Sequence, residues 1–397
     1  MSDVLFLSVP SHGHVNPTIG LVAELARRGE RVTYFSSAPF RERIEKAGAR
    51  FRAYAHDLDI FQGPPAPGQA SPLLRVVASA ADVIADILAQ VDGQRVDLLI
   101  HSMPFPFAKP LAQHLRVPTV SSLAVFGGLD AFVARGAAPA AGLLAASAQH
   151  EFTLRRAARE VHERHGLDLP EQLRDLLFNP GDLNLVYTSR HFAGELPYLD
   201  DSYAFVGPPV HDRQEDVAFP LERLAGRRVL YISLGTVFGS RNPALHDTFV
   251  EAFADWDGIV VLAAYGVDLA AQRIPANFIV ANYVPQHEIL KHATAAIRHG
   301  GMNSMSDLLA AQVPFVCLPL GADQPWLAAR AQALGATIVL DAATLRADEL
   351  RHAVERVTTE PGYRAGLRAI ADSFAAAGGY PRAVDEIFAL KRRRGVD

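Results

Sequence analysis

The sequence predicts an α/β protein made of two parallel-sheet halves that face each other across a cleft. Three observations carry this. The chain has 397 residues, enough for two domains at roughly 100–200 residues each. In both halves short apolar runs alternate with helical stripes, the pattern of strand–helix–strand units that build a parallel sheet. Between the halves, Gly207–Pro220 (GPPVHDRQEDVAFP) is polar and bounded by prolines, as a linker is.

The first half opens with Val4–Val9, a continuous apolar run suited to a strand buried on both faces. A His/Gly/Pro loop, Pro10–Pro17, follows it. Thr18–Arg28 carries apolar residues at 19, 21, 22, 25 and 26, a helical stripe stopped by Gly29. Arg31–Ser36 reads as a strand, Pro39–Ala47 as a helix, Pro72–Val91 as one long helix, and Asp97–His101 and Val117–Ser121 as strands. Two stretches break the alternation: Gln62–Pro72, with four prolines, and the Ala/Gly-rich Phe126–Ala148. Both are candidate walls of an apolar pocket, with a mobile surface loop an equal reading of the first. The second half restarts with strand Arg228–Leu234 and a helix near Pro243–Ala254. Strands follow at Ile259–Ala264, Phe278–Ala281, Ala295–Arg298, Pro314–Leu318 and Thr337–Leu340, with closing helices Leu345–Thr358, Pro361–Ala376 and Pro381–Arg393. The expected division is 1–206, a linker 207–220, and 221–380, with the C-terminal helix 381–397 crossing back to the first domain.

Composition excludes several classes. A net charge of −5 argues against a partner that works by phosphate neutralisation, so no nucleic acid is expected. No apolar run approaches the ~18–20 residues of a membrane span, and the opening residues lack a signal segment, so a cytoplasmic protein without stable membrane insertion is expected. One cysteine, Cys317, rules out an internal disulfide framework.

In a doubly wound sheet the ligand sits at the strands' carboxyl ends, and the motifs fall there. His299-Gly300-Gly301-Met302-Asn303-Ser304 follows strand Ala295–Arg298 and opens a helix. Glycines let backbone N–H groups approach a ligand, and a helix N-terminus favours an anion, so the segment suits a diphosphate. An ordinary capped helix is the bland alternative. Ser233-Leu234-Gly235-Thr236 lies at another strand end. Tyr283-Val284-Pro285-Gln286 sets an aromatic face beside fixed backbone, able to stack on a base. Asp323-Gln324 suits sugar hydroxyls, although Asp before a helix is often only its N-cap. Pro10–Pro17 holds His12 and His14, and histidine is the usual general base near neutral pH. Asp57-Leu58-Asp59 has the form of a metal-binding DxD, but lies before a Pro-rich loop.

Taken in order from His14-Val15-Asn16-Pro17 to Asp323-Gln324, these motifs make the chain resemble the inverting, nucleotide-sugar-dependent glycosyltransferases of the GT-B fold. The branch it resembles is the bacterial macrolide and natural-product one, related to the UDP-glycosyltransferases. The resemblance implies two Rossmann-like domains and assigns roles. His14 would deprotonate the acceptor hydroxyl. Thr236, His299, Asn303 and Ser304, with the backbone at Gly301, would hold the diphosphate. Tyr283, in place of a Trp, would stack on the base, with Val284 and Gln286 completing its pocket. Asp307, in place of a Glu, would bind the ribose, which leaves UDP and dTDP sugars both open. Asp323 and Gln324 would grip the transferred sugar, and Leu327 replaces an Asn common after that pair. Ser102, in Asp97-Leu98-Leu99-Ile100-His101-Ser102, replaces the carboxylate that supports the catalytic His. The implied partners are a nucleotide sugar and an apolar small-molecule acceptor, with no metal and no cofactor beyond the co-substrate. Two other classes compete: a nucleotide-sugar epimerase or hydrolase on the same fold, and a catalytically weak nucleotide-sugar-binding auxiliary protein.

Overall fold

Alternate residues of each central strand feed different cores. In β1 (Asp3–Leu7), Leu5 and Leu7 pack on one side of the sheet and Val4 and Phe6 on the other, all nearly inaccessible to water. Such burial on both faces selects for an unbroken apolar run. The computed structural model describes residues 1–61, 69–125, 148–196, 199–209, 217–235, 244–267, 273–321 and 323–396. The remaining strands are β2 (Arg31–Ser36), β3 (Arg50–Ala53), β4 (Leu98–Ser102), β5 (Thr119–Leu123), β6 (Leu183–Val186), β7 (Tyr203–Phe205), β8 (Val229–Ser233), β9 (Ile259–Ala263), β10 (Phe278–Ala281), β11 (Ala295–Arg298), β12 (Phe315–Cys317) and β13 (Thr337–Val339). They form two parallel sheets, ordered β3-β2-β1-β4-β5-β6-β7 and β10-β9-β8-β11-β12-β13. Each sheet starts at its centre and winds outward in both directions. This is the two-domain, doubly wound α/β architecture expected, and it places switch points at the carboxyl ends of β1/β4 and β8/β11.

Several expectations shift. The helix foreseen from Thr18 begins at His12 and runs to Arg27, so His12 and His14 lie in its first turn rather than in a loop. Pro17 hid this, because proline reads as a helix breaker. It is tolerated near the helix start, where few intrahelical partners are lost. The single helix expected over Pro72–Val91 is two, Pro72–Ala78 and Ala80–Val91, broken at Ser79. The strands β3, β6 and β7 add to those read from sequence. The stretches 126–147, 62–68 and 210–216, which hold most of the pocket-wall segments and part of the linker, lie outside the described residues.

The C-terminal helix, Gly379–Arg394, packs on His12–Arg27 of the first sheet's domain. Tyr380 lies against Gly20, where a Cβ would stand only 2.1 Å from its ring, and its hydroxyl donates to the Pro17 carbonyl at 2.8 Å. Lys391 Nζ donates to Glu30 Oε1 at 2.8 Å, an ion pair buried at both ends. Elsewhere the halves are joined by Arg330, whose guanidinium donates to the carbonyls of Phe192 and His191 at 2.7 and 2.8 Å.

Candidate active site

The first half of the site is set by the start of helix His12–Arg27, just past β1. Pro17 has no N–H, so the Gly13 carbonyl four residues earlier receives no helical hydrogen bond. That carbonyl instead accepts from Asn303 Nδ2, 3.4 Å away on the second domain. The contact brings the His14 turn and the Gly-rich helix start together across the cleft. His14 stacks flat on Phe61, with ring centroids 4.9 Å apart and planes 9° from parallel. Its Nδ1 is buried with no hydrogen-bond partner among the described residues. Burial pulls its pKa down to about 4, because a desolvated imidazolium is costly. The ring is therefore neutral at pH 7 and able to take a proton.

Ser102 lies at the end of β4, but its hydroxyl does not meet His14. It pairs with Ser8 Oγ at 3.3 Å and receives the Val9 N–H at 3.4 Å. The strand ends β1 and β4 are side by side, and the short hydroxyl that stands where the resemblance expects a carboxylate is satisfied between them. His101, also buried, turns Nδ1 to the Ser102 carbonyl at 2.9 Å and has its pKa lowered to about 4 by burial. The DxD carboxylates serve a local purpose. Asp57 accepts from the Asp59 N–H and Asp59 from the Phe61 N–H, at 3.1 and 3.0 Å. These two successive turns deliver Phe61 to the His14 ring. Phe61 was not foreseen as a site residue, and nothing in its sequence neighbourhood announces a partner some forty-seven positions away.

The second half is built at the ends of β8 and β11. The His299 ring lies between two glycines: a Cβ at Gly235 would stand 2.6 Å from its Cε1, and one at Gly301 2.6 Å from its Nε2. Gly235 and Gly300 also have φ of +77° and +84°, a region costly for other residues. Burial, reinforced by the Arg298 guanidinium, holds the His299 pKa down to about 3. Asn303 and Ser304 occupy the first turn of helix Met302–Ala310, and Gly301 is its N-cap. Ser304 Oγ accepts from Arg298 Nη2. Thr236 lies outside the described residues.

Tyr283, past β10, is 46% exposed. The Val284 side chain is buried in the core of the second domain, so what it can offer a ligand is its backbone. Gln286 is tied on both sides, accepting from the Tyr231 hydroxyl at 3.2 Å and donating to Asp307 Oδ2 at 2.6 Å. Asp307 is buried, with His287 Nε2 3.9 Å from the same oxygen. Asp323 occupies the N-cap of helix Gln324–Ala333 without a side-chain cap bond, so the bland capping role is not realised. Burial raises its pKa to about 6. Gln324 Oε1 accepts from the Leu320 N–H at 2.8 Å, which fixes the loop and leaves its amide N–H groups. Leu327 is in the core.

Two doubly wound domains opposed across a cleft, with the helix start that carries His14 hydrogen-bonded to a glycine-rich helix start, define the architecture of GT-B glycosyltransferases. Comparison with known proteins agrees. Residues 247–389 match the family model of the C-terminal domain of erythromycin biosynthesis protein CIII-like proteins. Two proteins of Bacillus subtilis strain 168 named as UDP-glucosyltransferases are similar: YojK, 31% identical over 99% of this chain and 98% of its own, and YdhE, 32% identical over 94% of each. The crystal structure of the glycotransferase of kitacinnamycin superposes with a TM-score of 0.83, at 27% identity, covering 98% of both chains. The chain belongs to the nucleotide-sugar-dependent GT-B glycosyltransferases, in the macrolide and natural-product branch related to the UDP-glucosyltransferases. Among the described residues no helix is long and apolar enough to cross a membrane.

Proposed function

We propose that the protein transfers a hexose, with inversion, from a nucleoside diphosphate sugar to a hydroxyl of an apolar natural product. A UDP-sugar is the favoured donor, and a dTDP-deoxysugar the alternative. The observation that supports the reading is the Asn303–Gly13 hydrogen bond, which joins the helix turn carrying His14 to the glycine-rich helix start. His14 takes the acceptor proton as the hydroxyl attacks the anomeric carbon from the side opposite the leaving diphosphate. Helix-end N–H groups, with His299, Asn303, Ser304 and Thr236, receive the charge that develops on that diphosphate, so the reaction needs no metal. Tyr283 stacks on the base, and Asp323 and Gln324 hold the sugar. The names of the Bacillus relatives support UDP over dTDP.

The acceptor hydroxyl is proposed to be phenolic. Among the described residues His14 Nδ1 meets no carboxylate, so these residues offer no stabilising charge to the imidazolium formed during transfer. A phenol, at a pKa of about 10, needs less help from the base than an aliphatic alcohol near the ~15.7 of water. The test is release of nucleoside diphosphate with and without a panel of phenols and alcohols, in buffer containing EDTA. Release that requires an acceptor and survives EDTA supports the reading. Conversion without acceptor would instead mark an epimerase or hydrolase, and binding without turnover an auxiliary protein.

A further inference from the structure

We infer that Arg298, the last residue of β11, is a buried counter-charge for the donor's diphosphate, acting through Ser304. The inference rests on the diphosphate lying at the helix start, as proposed above, and adds a residue to it. Arg298 is 3% exposed. Its side chain leaves the sheet on the face shared with Ala296, and its guanidinium carbon lies 4.9 Å from the centroid of the Tyr231 ring. A guanidinium keeps its proton at any pH a protein survives. A buried charge without compensation is costly, yet among the described residues no carboxylate forms an ion pair with this one. Its Nε and Nη1 are buried without a hydrogen-bond partner among the described residues. The bond it does make is from Nη2 to Ser304 Oγ, in the first turn of helix Met302–Ala310.

That bond gives the charge a direction. Ser304 Oγ accepts from the guanidinium through a lone pair, so its own proton remains to be donated elsewhere. A hydroxyl polarised in this way is the stronger donor. The positive end of the helix points to the same place. His299, next in the chain, is kept neutral, partly by the Arg298 charge itself. A fixed cation, an oriented hydroxyl and a helix N-terminus together call for an anion of more than one charge, which a diphosphate is. A purely structural Arg298 would only prop up Tyr231, and an apolar side chain of like size would do that as well or better.

The experiment is calorimetric, on the full chain, with UDP and uridine as probes and dTDP and thymidine in parallel. Arg298→Met keeps the bulk and removes the charge. The expected result is a loss of about 10–100-fold in nucleoside diphosphate affinity, with nucleoside affinity unchanged. Arg298→Lys should restore most of the preference for diphosphate over nucleoside. In a Ser304→Ala background, Arg298→Met should cost less than it does in the wild type, because the route through the hydroxyl is already cut. Arg298→Gln reads the same ratio should the Met variant fail to fold. An undiminished diphosphate preference in either folded neutral variant overturns the inference. A wild-type protein that binds nucleoside and nucleoside diphosphate equally would overturn the underlying donor reading as well, which separates the two failures.

Discussion

His14 and His299 stand at strand ends in opposite halves of the cleft, and burial holds both imidazoles neutral at pH 7, near pKa values of 4 and 3. Their surroundings differ. His14 has one face on Phe61 and a buried nitrogen without a partner among the described residues. His299 is wedged between Gly235 and Gly301, beside a guanidinium that further opposes protonation. In the proposed mechanism the first ring gains a proton during the reaction. The second is placed to stay neutral and keep one orientation. A downshifted histidine is therefore not by itself a base, and the neighbours decide what the shift is for.

The largest expected effect separates the two rings directly. His14→Ala should lower turnover by roughly 10²–10⁴-fold with nucleoside diphosphate affinity little changed, in steady-state kinetics beside calorimetry. His299→Ala should do the converse, weakening the diphosphate by about 10-fold or more. Gly301→Ala should imitate it, because the added Cβ would stand 2.6 Å from the His299 ring and displace it. Equal effects of the two histidine variants on turnover and on binding would erase the comparison.

A smaller effect concerns the charge that His14 lacks. Ser102→Asp places a carboxylate at the end of β4 and should raise turnover on aliphatic alcohols several-fold more than on phenols. A variant unchanged on both classes would show that the β4 end does not act on the base.

The pH dependence sharpens the contrast further. Burial raises Asp323 to about 6, so it loses its charge as pH falls through 6, before His14 protonates near 4. If the carboxylate holds the sugar, kcat/KM should fall about tenfold per pH unit below 6, and Asp323→Asn should flatten that limb while lowering the plateau. A limb unaltered in Asp323→Asn would assign it to another group. The smallest effect belongs to Phe61→Leu. Letting water reach the ring relieves the desolvation that depresses His14, so its pKa should rise toward 6.5, with activity at pH 8 within about threefold of the wild type. Histidine-resolved NMR titration measures the shift.

How much of this was legible in the sequence depended on distance along the chain. Val4–Leu7, Ala295–Arg298 and the His299–Ser304 turn were readable because their signals are contiguous: an apolar run, then glycines, then a helix start. Strand β3, Arg50–Ala53, was missed because two arginines flank its buried Phe51 on a sheet edge. In β6 the buried Asn184 breaks the apolar run, its amide being satisfied by Gly181 and Ser202. The helix start at His12 was hidden by Pro17, the residue that frees the Gly13 carbonyl for Asn303. Phe61 over His14, Ser102 turned to Ser8, and Gln286 tied to Asp307 are meetings through space, and no local spacing encodes them. Arg298 was visible as a strand-end arginine, a residue usually assigned to solvent. Its burial required the fold.

The central claim is transfer across the cleft with inversion, driven from His14. It is tested most directly by NMR of the glycoside formed from an α-configured UDP-hexose and a phenolic acceptor. The account predicts a β-linked product, formed by the wild type and almost lost in His14→Ala. An α-linked product, or free hexose formed at the same rate without acceptor, would contradict it.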